Sequence, residues 1–301
     1  MNELRFDGRV AIVTGAGRGF GRCHALLLAA RGARVVVADY GVNADGSGSS
    51  PEPAAQVAKE IEAAGGEAVS CFASVADEAG AASIVQTALD TFGRLDILVN
   101  NAGIVDPHWF EDLTMEQFRL MQEFHYLGTV QVSKAAWPHL QAAATGCIVN
   151  TASEAILGGV PKSTSYSGAK GGVFAFTRAL ALDGKRHGIR VNAVAPRGRT
   201  RMSEPPFLAE IYGQPEEVFQ GMLVESMRPE YVSPGVAYLA HDSCSLTGET
   251  LVCGGSRVMR LAVVATNGIV RETITPEDIA GNIDEILDTA GAAVIGLELQ
   301  R

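Results

Sequence analysis

The sequence predicts an α/β fold: a doubly wound parallel sheet in a single domain, followed by a C-terminal extension. Short apolar runs recur along the chain with helical stretches between them. Those runs do not alternate apolar with polar residues, the mark of strands buried on both faces of a parallel sheet. Helices joining successive strands require right-handed crossovers, which place helices on both faces. The chain has 301 residues, of which 47% are hydrophobic and 19% charged. That composition supplies a large core and excludes a disordered chain.

Residues 10–14 form the first strand, which runs into glycines. Residues 25–30 lie in an alanine- and leucine-rich helix that Gly32 can stop. Residues 34–38 are a β-branched strand followed by Asp39. Residues 53–64 read as a helix, 68–72 as a strand, 78–92 as a helix and 95–99 as a buried strand. A long helix covers 116–140 and is expected to end near Pro138. A strand at 147–150, a helix at 167–185 and a strand at 189–194 follow.

Elsewhere the rhythm breaks. Residues 41–53 form a glycine- and serine-rich insertion, expected to be flexible. Residues 196–221, rich in proline, charge and aromatics, read as a lid over a pocket. Beyond residue 255 comes a strand-like run at 261–265, then a helix. Thr275 is its N-cap and Pro276 its first residue, with Ile279, Ile283, Ile286 and Leu287 on one face. That stripe is expected to pack on this subunit or another. The expected division is therefore a domain at 1–255 and an extension at 256–301.

Composition also excludes partners. A net charge of −10 argues against nucleic acid as the main partner. The five cysteines are scattered and lack a C-x-x-C pair, so neither a disulfide framework nor a metal site is expected, and a reducing compartment fits. No leader pattern, no apolar run of about 18 residues and no C-terminal anchoring signal is present. No membrane association and a cytoplasmic location are the expectations.

The chemistry begins at Thr14-Gly15-Ala16-Gly17-Arg18-Gly19-Phe20-Gly21, between the first strand and the first helix. Glycines there allow a tight turn and close approach of backbone to a pyrophosphate, which the helix N-terminus attracts. Asp39 lies 18 residues after Gly21. A carboxylate at that strand end binds ribose hydroxyls and repels a 2′-phosphate, which favours NAD. Arg18 points the other way and keeps NADP open.

Tyr166 and Lys170 stand at i and i+4 on one helical face. A free tyrosine has a pKa of about 10, and a nearby ammonium is expected to lower it. Alone, such a pair is an ordinary helix surface. Here Ser153 precedes Tyr166 by 13 residues, just past an apolar strand. Asn100-Asn101-Ala102-Gly103 ends another strand at the same sheet edge.

The motifs T-G-x-x-x-G-x-G, N-N-A-G, S-x12-Y-x-x-x-K and the R-V-N-A-V-A-P stretch at 190–196 occur in order. Together they resemble the short-chain dehydrogenase/reductase family over roughly residues 5–255. The resemblance implies a Rossmann-type fold and an NAD(P)-dependent oxidoreductase that interconverts a secondary alcohol and a ketone. It implies Ser153, Tyr166 and Lys170 as catalytic residues, with Tyr166 the proton donor and acceptor. It places Gly15, Arg18, Gly19, Phe20, Gly21, Asp39, Asn101, Ala102 and Gly103 around the cofactor. Ser74 and Val75 fall at the adenine, and Lys170, Val194, Pro196 and Thr200 at the nicotinamide. It also implies a homodimer or homotetramer, paired through the helices at 116–140 and 167–185.

The chain departs from that family where N-x-x-G reads His125-Tyr126-Leu127-Gly128. His125 can replace the asparagine in a proton relay from Lys170, or serve as a structural histidine. The usual D-V reads Ser74-Val75, and the usual P-G reads Pro196-Arg197. Further features are Asp39 with its insertion, A-A-W at 135–137, T-R-M at 200–202, P-E-Y-V at 229–232, H-D-S-C at 241–244 and T-P-E at 275–277. These resemble the (3R)-hydroxyacyl-CoA dehydrogenase part of the type 2 multifunctional enzymes of peroxisomes.

That resemblance implies a (3R)-hydroxyacyl-CoA substrate and a stand-alone dehydrogenase. A steroid- or terpenoid-like alcohol and a non-catalytic NAD-binding protein are the alternatives. Phe207, Leu208, Ile211, Tyr212 and Phe219 can cover an acyl chain or a steroid, or belong to the core. Arg197, Arg199 and Arg201 can meet a CoA phosphate, or lie on the surface.

Overall fold

The computed structural model describes residues 3–143, 145–220 and 227–297. Gly221, at the end of the expected lid, lies outside the described residues, as do the chain's terminal residues. Residues Met1–Met259 form one compact unit and Arg260–Arg301 a second.

In the first unit, strands and helices alternate as the sequence predicts. The first half comprises β1 (Val10–Thr14), α1 (Gly19–Ala30), β2 (Arg34–Ala38), α2 (Glu52–Ala63), β3 (Glu67–Cys71), α3 (Glu78–Phe92) and β4 (Ile97–Asn100). Then come α4 (Met115–Gln122), a π turn (Glu123–Leu127), α5 (Gly128–Ala142), β5 (Cys147–Thr151), a 3-10 turn (Glu154–Leu157), α6 (Thr164–Lys185) and β6 (Arg190–Arg197). After a 3-10 turn (Arg201–Ser203) follow α7 (Pro205–Tyr212), α8 (Glu216–Gln220), α9 (Ser233–Ala240) and β7 (Thr250–Gly254), and β8 (Arg257–Leu261) spans the boundary between the units.

The sheet order is β3-β2-β1-β4-β5-β6-β7-β8, and β3 through β7 pair in parallel. Every residue of β1, β4 and β5 is buried. That is why their sequences are uninterrupted apolar runs rather than alternating ones. Helices α1, α2 and α9 cover one face and α3, α5 and α6 the other. Chain order reverses between β1 and β4, so their connections leave on opposite sides and open a crevice at their C-terminal ends.

Local expectations needed correction. Pro138 does not end its helix; α5 runs on to Ala142. The carbonyl that Pro138 cannot bond belongs to Lys134, and both residues are exposed on one face, where water can serve it. Residues 41–53 carry hydrogen bonds of their own. Ser47 main-chain N–H donates to Asp45 Oδ1 at 2.9 Å, and Val105 N–H donates to Ala44 O at 2.8 Å, tying the loop to the chain beyond β4.

In the second unit, β9 (Val264–Ala265) pairs antiparallel with β10 (Ala293–Val294). Thr275 forms the capping box of α10 (Pro276–Gly281), accepting from Asp278 N–H. The helix then breaks at Asn282 before α11 (Ile283–Leu287). Ile279, Ile283 and Leu287 are exposed and Ile286 is half-buried, so the apolar stripe is only partly covered.

Candidate active site

The crevice between β1 and β4 is held shut at its base by Thr14. Its Oγ1 accepts the main-chain N–H of Asn101 (3.0 Å) and of Ala102 (3.1 Å). Asn101 Nδ2 in turn donates to Thr14 O (3.0 Å) and Gly15 O (3.1 Å). Two glycines are needed by contact: a Cβ on Gly15 would sit 2.7 Å from Ala102 Cα, and one on Gly21 2.2 Å from Gly15 O. Helix α1 begins without a side-chain cap, which leaves its first N–H groups open toward the cavity.

One cavity gathers almost every residue singled out from the sequence. Gly15, Arg18, Gly19, Phe20, Asp39, Val75, Asn101, Ala102 and Gly103 line one part of it. His125, Ser153, Tyr166, Lys170, Pro196 and Thr200 line the rest. Gly21 and Ser74 stand behind the wall. Gly21 packs on the Gly15 carbonyl, and Ser74 Oγ turns to accept Ala76 N–H at 3.0 Å.

Asp39 accepts the N–H of Gly17 (2.7 Å) on one oxygen and of Gly41 (2.6 Å) on the other. A carboxylate has further lone pairs, so ribose hydroxyls can still bond to it. Two arginines flank it: Arg18 and Arg201 both donate to Val42 O, at 3.3 and 3.1 Å. Burial, then the charge of Arg18, pushes the Arg201 guanidinium pKa down. The Val42 carbonyl and the approach of Arg201 to this end escaped the sequence reading, because they meet only through loops that the fold brings together.

At the other end, Ser153 caps the 3-10 turn after β5 and its Oγ accepts Ala155 N–H at 3.1 Å. Lys170 Nζ donates to Thr151 O at 2.6 Å and lies 5.8 Å from the centroid of the Tyr166 ring. Burial lowers the Lys170 pKa to about 7. The sequence expectation that the lysine lowers the tyrosine's pKa needs correction. Burial raises the Tyr166 pKa above its ordinary value, and only the hydrogen bond with Ser153 works against that.

His125 sits in the π turn and is 2% exposed. Its Nε2 lies 2.7 Å from Ile104 O, and its ring meets Tyr166 edge-on with centroids 5.1 Å apart. Burial, then the Lys170 charge, pushes its pKa well below the usual imidazole value, so the ring is neutral. Among the described residues, its Nδ1 has no hydrogen-bond partner. The ring lies against Gly103, where a Cβ would come within 2.3 Å of His125 Cε1.

A second cavity adjoins the first and shares Ser153, Tyr166, Pro196, Met202 and Ser203 with it. Leu157, Val160, Phe207, Leu208, Ile211 and Tyr212 give it apolar walls. Phe219 is instead core, buried with its ring centroid 5.7 Å from that of Tyr212. Two of the arginines offered to a CoA phosphate are already paired. Arg197 meets Glu154 through contacts of 2.5 and 2.6 Å, and Arg199 meets Glu204 at 2.7 Å.

A sequence model of the short chain dehydrogenase family matches residues 9–205. The chain is 40% identical over 296 residues to the peroxisomal multifunctional enzyme type 2 of Mus musculus, matching over 97% of itself but only 38% of that enzyme. The crystal structure of a short chain dehydrogenase from Mycobacterium avium superposes with a TM-score of 0.78 at 38% identity. That match covers 93% of this chain and 95% of the other. A 7α-hydroxysteroid dehydrogenase complexed with NADH and 7-oxo glycochenodeoxycholic acid gives a TM-score of 0.74 at 30% identity, over 85% of this chain and 98% of that one.

Proposed function

The chain belongs to the short-chain dehydrogenase family of oxidoreductases, and on that premise we propose that it interconverts a (3R)-hydroxyacyl-CoA and its 3-ketoacyl-CoA, using NAD. The observation that carries the reading is the meeting of Ser153 and Tyr166 on the wall between the two cavities, with Lys170 beside them. One cavity has the fittings of a dinucleotide site and the other is an apolar pocket.

The dinucleotide fits what the residues offer. The uncapped N-terminus of α1 and the glycine turn, whose positions a Cβ would fill, suit a pyrophosphate. Asp39 suits adenosine ribose hydroxyls and disfavours a 2′-phosphate, which supports NAD over NADP. When bound, the nicotinamide supplies or accepts a hydride.

The protein's own groups handle the proton. Ser153 Oγ accepts Ala155 N–H, and its single O–H, which bonds with Tyr166 while no substrate is bound, can turn to donate to the substrate oxygen. Tyr166 is already neutral at physiological pH at its ordinary pKa of about 10, and burial holds it further on the protonated side; it gives its proton to that oxygen during ketone reduction. In the oxidation direction it must first lose the proton. Lys170, held by Thr151 O, presents its remaining N–H bonds to the nicotinamide ribose. The apolar second pocket takes the acyl chain.

A second reading, a steroid- or terpenoid-like alcohol in the same site, draws on the pairing of Arg197 and Arg199. With their charges committed to carboxylates, fewer cations face a CoA diphosphate. We also propose a homodimer or homotetramer built on the α4–α5 and α6 helices, which light scattering would test by excluding a monomer. The five free, buried cysteines support a reducing compartment such as the cytoplasm, which cell fractionation would check.

The deciding experiment follows nicotinamide absorbance with NAD or NADP across (3R)- and (3S)-hydroxyacyl-CoAs and hydrophobic alcohols. Turnover confined to (3R) thioesters with NAD is the expected result. Turnover of free alcohols alone would transfer the assignment to the second reading. Tyr166→Phe should abolish turnover while NADH still binds; a variant with near-parental activity would remove the tyrosine from the mechanism.

A further inference from the structure

We propose that the Glu154–Arg197 ion pair is a positioning device that holds Ser153 in register with the end of β6. The inference rests on the reading of Ser153 as the residue that binds the substrate oxygen.

Strands β5 and β6 pair in parallel as far as Thr151 opposite Val194. One more main-chain bond, Ala152 N–H to Val194 O at 2.8 Å, carries the pairing a residue further. Then it must stop. Continuing the same register would set Ser153 opposite Pro196, and proline has no N–H to give. Beyond this point β6 stays in the sheet, paired to β7 at Pro196–Cys253 and Arg197–Gly254. The chain after β5 instead turns away into the 3-10 turn at Glu154–Leu157. Ser153 therefore sits where the two strands part.

Glu154 and Arg197 are the next positions in that extrapolated register, and their side chains restore the lost connection. Arg197 Nε donates to Glu154 Oε2 at 2.5 Å and Nη2 to Oε1 at 2.6 Å. Two parallel bonds fix orientation as well as distance, which a single contact from a lysine would not do. The arginine end is firmly seated, since a Cβ on Gly254 would come within 1.8 Å of Arg197 O. The glutamate end opens the turn that Ser153 caps through its contact with Ala155 N–H. The serine hydroxyl is thus referred to a fixed point on the sheet, one residue beyond the Pro196 that lines both cavities.

Both side chains are about one-third exposed, at 38% and 32%. A pair so open to solvent adds little to global stability. Its loss should therefore show in catalysis and in the local turn rather than in unfolding. Arg197→Ala and Glu154→Gln are expected to lower kcat about 10- to 100-fold, the penalty of displacing a catalytic group by about an ångström. NADH affinity should hold within about twofold, because neither side chain lines the dinucleotide part of the site. Arg197→Lys should fall between, and the exchanged double variant Glu154→Arg, Arg197→Glu should recover most of the lost kcat.

Hydrogen exchange of the amides at 153–157, which does not depend on substrate choice, should quicken in both single variants and recover in the exchange. Parental kcat in both single variants, parental exchange in the turn, or an exchanged variant no better than the singles would each overturn the proposal. A parent protein inactive on every alcohol and ketone defeats the functional reading instead. In that case the exchange measurement still decides whether the pair holds the turn.

Discussion

Replacing Gly103 by alanine tests how the active-site floor is built. An added Cβ would stand 2.3 Å from Cε1 of His125 and 2.8 Å from its Nδ1. Ordinary carbon contacts lie at about 3.5–4.0 Å, so the ring must retreat by more than about 1 Å. It has little freedom to do so. Its Nε2 is held 2.7 Å from Ile104 O, and the Tyr166 ring stands edge-on at 5.1 Å between centroids. Overpacking of this kind costs about 1–3 kcal/mol, and losing the Ile104 bond adds about 1 kcal/mol. The sum is about 2–4 kcal/mol. Urea unfolding followed by circular dichroism would measure it. A double-mutant cycle isolates its cause: with His125→Ala, the alanine at 103 should cost less than about 1 kcal/mol, leaving a coupling of about 2 kcal/mol. An alanine at 103 that costs the same in both backgrounds would refute the steric account of this glycine.

Other outcomes follow from the same geometry. Thr14→Val strips the shared acceptor from the N–H groups of Asn101 and Ala102 and should destabilise the protein by about 2 kcal/mol in urea unfolding. Asp39→Asn removes the charge that holds Gly17 and Gly41; titration calorimetry should find NADH binding about tenfold weaker and NADPH binding improved beside Arg18 and Arg201. Alcohol oxidation should rise with pH from 7 toward 10, since Tyr166 is held protonated by a raised pKa, while ketone reduction stays flat over that range. An oxidation rate independent of pH from 7 to 10 would mean the tyrosine is already ionised. Buried His24, hydrogen-bonded to Ser233 at 2.8 Å, has its pKa lowered to about 3. Its unfolded value is about 6.5. The unfolded state therefore binds the extra proton first, and stability present above pH 6.5 is lost as pH falls from there toward 3. His24→Asn should flatten that part of the stability profile, and a slope unchanged by the variant would reassign the effect to carboxylates.

The local motifs were legible because each is a short-range requirement written in residue type. A glycine turn after an apolar run, a carboxylate at the next strand end, and a tyrosine four residues before a lysine can be found without coordinates. So could the strands buried on both faces, since burial removes their alternation. Helix ends were less legible. Pro138 marks a stop by local rules, yet an exposed face let α5 continue through it.

What the chain order alone determined was the sheet, the crevice and the residues at its edge. What only the tertiary structure decided was how those residues act on one another. Tyr166 and Lys170 are four residues apart in sequence, but their common burial, not their spacing, sets the direction of both pKa shifts. His125 and Gly103 are 22 positions apart, and nothing local relates the ring of one to the missing Cβ of the other. Arg197 could be read as a CoA-phosphate ligand or a surface cation until the fold brought Glu154 opposite it. Charge, desolvation and steric contact depend on distances across the sheet, and those distances exist only once the strands have paired.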